Sequence, residues 1–418
     1  PEASSVASAS LAGTAVGSWD SAVRAVAQES VCPSAAGGVG ADGALLSASI
    51  EHKGDVYLKA CRRLGLAPKL FKPLRYRTTV RVVHLLPKRA AQEQNALQEL
   101  AALRDAGYDV IPIAAPYPGI KGIVWFETKG TLNSIQAKPD IVSARDLDTL
   151  GAAVKVKRRT GAKVVYDMHD PYSLMVEDDV PRFVLPFIER YERKLLPYVD
   201  LALASDYERA ERLLHQGYAG PIQVILNCRD PQPYRPPPDA SILCYTGTLH
   251  PSRFIKEMFL AMKEIDGQLY IAGPDTPNSL YSWVKRNVPN PKVVFFGYVQ
   301  PDRVLGLLRN ADISIQMADP ASRINCLGPY NRLWDAMAVG RPSIGTTGTV
   351  NAQLIEGYQI GTHCEYDSDS YVRTINEMLR GLSNRDRVQM GLRAYELCVK
   401  MFNWKTEAAR LVAAYEGL

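Results

Sequence analysis

The feature that most constrains this chain is an alternation of short apolar runs and helical patterns that stops at a proline-rich stretch and then restarts. From Thr79, the run Val80, Val82, Val83, Leu85 and Leu86 is β-branched and apolar. A helical pattern follows, with Leu97, Leu100 and Leu103 on one side, and ends at Gly107. Asp109–Ala114, Asp140–Ala144 and Lys163–Asp167 read as further strands, and residues 148–160 as a helix. Strands that are apolar throughout, separated by helices, predict a parallel sheet covered on both faces. Residues 229–239 carry many prolines and no period, so they read as a stiff linker and hinge. Strands then return at Ile242–Tyr245, Gln268–Ala272, Val293–Phe296, Ile313–Gln316 and Pro342–Gly345, with helices over Ile255–Ile265, Arg303–Asn310 and Asn331–Val339. The expectation is an α/β chain of two Rossmann-like, doubly wound domains, 76–230 and 231–400, facing each other across a cleft. Ligands of such sheets bind beyond the carboxyl ends of the strands.

Size and composition agree. The 418 residues suit two cores, and 46% hydrophobic with 22% charged residues is ordinary for a globular protein. No stretch approaches the roughly 20 apolar residues that cross a bilayer. The chain begins at Pro1, and no charged segment followed by an apolar one suggests a signal peptide. Seven scattered cysteines without a C-x-x-C pair suggest a reducing, cytoplasmic setting. The net charge of +5 is too mild to argue for nucleic acid. It is uneven, however: between Asp55 and Glu93 no acid occurs, while Lys59, Arg62, Arg63, Lys69, Lys72, Arg75, Arg77, Arg81, Lys88 and Arg89 do. That stretch is either a solvated face or a contact with a phosphate-bearing acceptor or with anionic lipid, the last of which would put the protein at the cytosolic face of a membrane. Residues 1–75 form an Ala/Ser/Gly-rich extension, partly disordered, with short helices expected after Asp20 and over Asp55–Gly65.

Several segments suit chemistry. His169 follows an apolar strand between Asp167 and Asp170, where an imidazole can act as a base, orient a hydroxyl, or simply cap the strand end. His84 lies inside a strand and is expected to pack. In Tyr245–Arg253 a strand ends at Gly247 and Thr248, and a helix follows near Arg253, a combination that suits an anion. Gly273 and Gly297, the latter followed by Tyr298, close two strands and would let a ligand approach the backbone. The segment Gly328-Pro329-Tyr330-Asn331 opens a helix whose first amides can bind phosphate, and Asp335, one turn on from Asn331, can accept two hydroxyl hydrogen bonds as a ribose requires. There is no D-x-D, H-E-x-x-H, paired C-x-x-C, P-loop or G-x-S-x-G motif, and no G-x-G-x-x-G after the first strand, so neither a metal site nor a cofactor is expected.

In order and spacing these motifs resemble the large family of retaining, sugar-nucleotide-dependent GT-B glycosyltransferases. Asp140–Leu150 followed by Gly161–Asp170 is similar to its "D-hydrophobic-hydrophobic-x-x-H-D-L-D-T-L … G-A-x-hydrophobic-V-Y-D-x-H-E". Asn331–Pro342 is similar to its "N-K-L-F-E-Y-M-A-A-G-x-P", and residues 401–418 resemble the terminal helix that crosses back to the first domain. The resemblance runs from about residue 79 to the end. It implies a UDP- or GDP-sugar donor held by the second domain, at Gly247, Thr248, Arg253, Gly273, Tyr298, Gly328, Pro329, Tyr330, Asn331 and Asp335. It implies a glycan, lipid or small-molecule acceptor held by the first, near Lys88, Arg89 and Asp146. Hexosyl transfer without a metal and with retention would then involve His169 and Asp170. The chain departs from the pattern at Leu327, where the family often has a Glu. It departs also at Pro87–Ala91 in place of a Gly-rich loop, at Phe254 in place of Gly, and at Thr248 in place of Arg. Two alternatives fit these departures: a degenerate relative that binds a sugar nucleotide or a partner without turnover, and a sugar-nucleotide epimerase.

Overall fold

The computed structural model describes residues 79–418, apart from 178, 275–279 and 288–289. The helices expected within residues 1–75, and most of the basic stretch after Asp55, lie outside the described residues. Twelve strands form two parallel six-stranded sheets. In the first, β1 (Arg81–Leu86), β2 (Asp109–Ala114), β3 (Ile141–Arg145), β4 (Lys163–Met168), β5 (Leu201–Ala204) and β6 (Ile222–Val224) are ordered β2-β1-β3-β4-β5-β6. In the second, β7 (Ile242–Thr246), β8 (Gln268–Ala272), β9 (Val293–Gly297), β10 (Ile313–Ile315), β11 (Ser343–Thr346) and β12 (Gly361–Cys364) are ordered β12-β11-β10-β7-β8-β9. The order reverses between β1 and β3 and again between β7 and β10. These are the switch points where loops diverge and leave a crevice.

Helices cover both faces, as uniformly apolar strands require. On one face of the first sheet, Val83, Leu85, Val142, Ala144, Val164 and Tyr166 pack under the helix Leu147–Thr160 through Leu150, Val154 and others. On the other, Val82, Leu86, Ile141, Val165, Leu201 and Leu203 meet Leu100 and Leu103 of the helix Gln94–Asp105. Leu97, expected beside them, is 51% exposed; Asn95, Ala96 and Glu99 turn inward in its place. The C-terminal helix Trp404–Glu416 crosses back to this same face, where Trp404, Leu411 and Tyr415 complete the core. The sequence also left β5, β6 and β12 unmarked, and all three are short runs of three or four residues. Residues 229–239 contain no regular element, as their prolines imply. They dock on the second sheet: Asp312 accepts the amides of Asp239, Ala240 and Ile242 at 2.6, 3.0 and 2.8 Å.

Alternation along the strands puts His84, Ser143, Arg145 and Asp167 on the face covered by helix Gln94–Asp105. There Arg145, fully buried, donates to Asp167 at 2.8 Å and to Glu99 at 3.3 Å. Both ring nitrogens of His84 lack a partner, and burial drops its pKa to about 4, so the ring packs as a neutral group. Burial and the neighbouring Asp167 push the Glu99 carboxyl upward.

The crossover helix is tied down by Glu407. Its carboxylate accepts the Leu226 amide at 3.0 Å and pairs with Arg410 at 2.8 Å. Burial, only partly offset by Arg410, lifts its pKa from 4.5 to about 7. A carboxyl raised on folding keeps its proton in the native state while the unfolded state has lost it. Its contribution is therefore complete below about pH 4.5 and is lost as pH rises to about 7. Glu407→Gln retains an oxygen for Leu226 but cannot titrate. Urea melts across this window should show a shallower fall in stability for the variant than for the wild type.

Candidate functional site

The site grows from the carboxyl ends of the two sheets. At the end of β3, Asp146 adopts φ 55° and is buried. Its Oδ1 accepts the amides of His169 at 2.9 Å and Asp170 at 3.2 Å, and its Oδ2 accepts Arg89 at 2.8 Å. Arg89 reaches Asp148 as well. Two of the residues expected to hold an acceptor, Arg89 and Asp146, are thus bound to each other, and Asp146 organises the His169 loop from beneath. Burial raises the Asp146 pKa, against the pull of Arg89. Lys88 is exposed, and with Arg89, Tyr117, Gly119, Ile123 and Asp148 it lines a cavity of about 90 Å³ beyond β1 and β2.

His169 is held on every side. Asn95 and Asn227 direct their amide nitrogens at Nε2, the latter at 2.9 Å, while Nδ1 lies 3.4 Å from Asp170. The Asn95 oxygen is taken by the Ala96 amide, so Asn95 can only donate and Nε2 accepts. Burial and Arg145 disfavour charge on the ring, but Asp170 and Asp146 outweigh them and its pKa is raised. Protonation at Nε2 therefore requires both amides to move off it or turn an oxygen towards it. Asp167, which flanks His169 in the sequence, faces Arg145. Asp170 pairs with Arg209 at 2.6 Å, and against the cost of burial this pair and His169 keep its carboxyl well below the usual range.

Across the cleft, three glycines end adjacent strands: the Gly247 amide donates to Ala272, the Gly273 amide to Gly297, and a Cβ on Gly273 would overlap the Gly247 carbonyl. Only glycine permits this spacing. Beside Gly247 stand two arginines. Arg253 lies 4.8 Å from the Tyr330 ring centre and Arg332 4.4 Å from it. Arg332 is buried and donates to Gln316 at 3.1 Å, the Met317 carbonyl at 2.9 Å and the Tyr245 hydroxyl at 3.5 Å. Arg253 has Nη1 buried without a partner. Among the described residues no carboxylate pairs with either. Burial, with the repulsion of Arg253, lowers the Arg332 pKa to about 10. Lys256 instead stacks on Trp283, 4.4 Å away.

The remaining sequence candidates sit around this pair. Tyr330 is the helix N-cap residue; its amide donates to Asn351 and its hydroxyl to the Asn325 carbonyl. Thr248, Asn331 and Tyr298 are exposed at the edge, and Pro329 is half-buried. Asp335 differs from expectation. It is buried, and its Oδ1 accepts Arg229 of the linker at 2.7 Å. The signal for Arg332 was present as a cation in the first turn of that helix, and only its burial without a counterion reveals its weight.

The halves meet at one corner. Arg209 binds Asp206 and Asp170 in the first half and donates to the Leu327 carbonyl of the second at 3.3 Å. Among the described residues, His84, Glu99 and Asp167 are the one set spaced to hold a metal ion, and Arg145 already pairs with both carboxylates.

Residues 55–233 match the family described as Glycosyltransferase Family 4, and residues 240–381 match Glycosyl transferases group 1. A comparison with curated protein sequences gives no match. Among solved structures, the chain is similar to sucrose-phosphate synthase from Thermosynechococcus elongatus, at 14% identity and a TM-score of 0.64, over 81% of this chain and 98% of that one. It is similar to Anabaena Alr3699/HepE in complex with UDP and glucose, at 14% identity and 0.63, over 81% and 100%. A glycosyltransferase from Rickettsia africae gives 13% identity and 0.60, over 81% and 98%. At these identities the likeness shows a shared fold.

Gly328, at φ 58°, fills the corner between the halves; a Cβ there would overlap Asp206 Oδ2 and lie 2.6 Å from Arg209 Nη1. Gly328→Ala should prise the corner open at a cost of about 1–3 kcal/mol. Small-angle scattering should report a larger radius of gyration than for the wild type; an unchanged profile would show that the corner yields locally.

Proposed function

We propose that the chain, a glycosyltransferase of the GT-B fold, moves a hexosyl group from UDP-sugar to an acceptor held by the first domain, with retention of configuration and without a metal. The observation that carries this reading is the pair Arg253 and Arg332, two cations that have no counterion among the described residues, beside the glycine-lined end of β7. A buried cation without an anion is costly, and a diphosphate placed between these two would satisfy both with charge-assisted hydrogen bonds. The choice of uridine is supported by the similar fold solved with UDP and glucose. Thr248, Tyr298, Pro329 and Asn331 stand at the rim where base, ribose and sugar would lie. Asp335 reaches a ribose only if Arg229 shares it.

Retention is favoured by what surrounds His169. Asp146, Asp170 and Asp206 are all bound by arginines, and both ring nitrogens of His169 are occupied. None is poised to take a proton from the face opposite the leaving group. The departing phosphate, steadied by Arg253 and Arg332, is then the base for the acceptor hydroxyl on its own face. His169 meets the sugar once one of its two amide partners turns aside.

Arg253→Ala and Arg332→Ala should each weaken UDP binding by roughly ten-fold to over a hundred-fold, the loss of one charge-assisted contact. Calorimetry that returned wild-type affinity for both would place the diphosphate elsewhere. His169→Ala should lower kcat by about 10²-fold with little change in UDP affinity, since its contact forms mainly in the transition state. Near-normal turnover beside an intact thermal melt would make His169 a structural cap.

A further inference from the structure

We infer that the outer face of the helix Leu185–Leu195, with the turn Arg182–Val184 before it, docks the protein on an anionic lipid surface. The helix has two unlike sides. Ile188 and Leu195 pack into the core, and Glu192 is buried, accepting from Tyr166 at 2.5 Å and Gln216 at 2.9 Å. The opposite side carries Phe183, Phe187 and Tyr191, four residues apart and therefore aligned, at 72%, 69% and 44% exposure. Large aromatic rings facing water in register are unusual on a helix whose core side is already filled.

The charges beside them share one sign. Arg182, Arg190, Arg193 and Lys194 are exposed, and among the described residues none makes an ion pair. Glu189 is occupied by Arg212 at 2.8 Å, and Glu192 is inside. Aromatic rings flanked by unpaired cations match the interface of an anionic bilayer, where rings enter the headgroup layer and cations meet lipid phosphates. No helix among the described residues is long and apolar enough to cross a membrane, so the contact is peripheral.

The position of the face connects it with the site. The helix follows β4, so its first turn, with Phe183 and Phe187, lies towards the edge that carries His169. The helix that follows β2 begins at the same edge with Ile120 and Val124, 76% and 59% exposed, beside Lys121. Glu127 of its continuation and Tyr191 both reach Gly151, so the two helices come together there. The cavity at Lys88 and Arg89 opens beside Tyr117 and Gly119, at the start of that second helix. An acceptor anchored in the lipid layer would reach it without leaving the membrane. This last step rests on the transferase reading; the docking itself does not.

The full chain should co-sediment with vesicles of phosphatidylcholine containing phosphatidylglycerol and stay in solution with phosphatidylcholine alone. Phe183→Ser with Phe187→Ser, and separately Arg190→Glu with Arg193→Glu, should each cut partitioning about tenfold or more while the thermal melt holds. Charge reversal at Arg62, Arg63, Lys69 and Lys72 should leave most of the binding. Absence of wild-type partitioning, equal partitioning on neutral vesicles, or loss only with the latter variants would overturn the inference. UDP-glucose hydrolysis in solution, measured on the same variants, should be unchanged; its absence in the wild type too would count against the transferase reading and not against docking.

Discussion

Asp146 stands at the head of a relay of charge that runs from one half of the molecule to the other. Its carboxylate gathers Arg89 and the amides of His169 and Asp170; Asp170 then binds Arg209, which binds Asp206 and touches the Leu327 carbonyl. Each acid in that chain is neutralised by an arginine, and the loop geometry at His169 depends on all of them. The second half is arranged oppositely. Its two site cations, Arg253 and Arg332, share an aromatic ring and, among the described residues, no carboxylate. Among the described residues the cleft is therefore charge-balanced on one wall and cationic on the other, and the proposed diphosphate site rests on that asymmetry.

Backbone packing sharpens that asymmetry. At the ends of β7, β8 and β9, Gly247, Gly273 and Gly297 bring successive loops so close that a methyl group on the middle one has no room. The edge of the second sheet is thereby cut back to main chain near the β7/β10 switch point. The first sheet instead fills its own edge with Arg89, Asp146 and His169. One wall admits a ligand to the backbone, and the other presents side chains to it.

Much of this was legible in the sequence because it depends on local pattern. Apolar runs such as Val164–Tyr166 mark strands buried on both faces, and glycines at strand ends mark close approaches. The two-sheet fold, the break at residues 229–239 and the buried His84 follow from such patterns. What was not legible depends on pairings far apart in the chain. Asp335 looked free until Arg229 was seen to hold it, 106 residues away. Asn95 and Asn227 carry no motif, yet together they set the tautomer of His169. Arg332 was visible as a cation, but its lack of a counterion is a property of folded surroundings. Leu97 failed for a simpler reason: a helix beside a polar patch can spend inward positions on Asn95 and Glu99, and the leucine is left outside.

The crossover of the last helix has a consequence for how the chain is made. The face of the first sheet that bears Val82, Leu86, Val165 and Leu201 is covered by Leu100 and Leu103 and completed by Trp404, Leu411 and Tyr415, residues translated only after the whole second domain. A nascent first domain therefore emerges with that side of its sheet only partly covered, by the helix Gln94–Asp105, and must wait for the whole second domain to be synthesised before it is sealed. Domains usually mature in the order they are translated. Here the first to appear is finished only after the second, and its stability becomes a report on whether synthesis has passed the crossover helix.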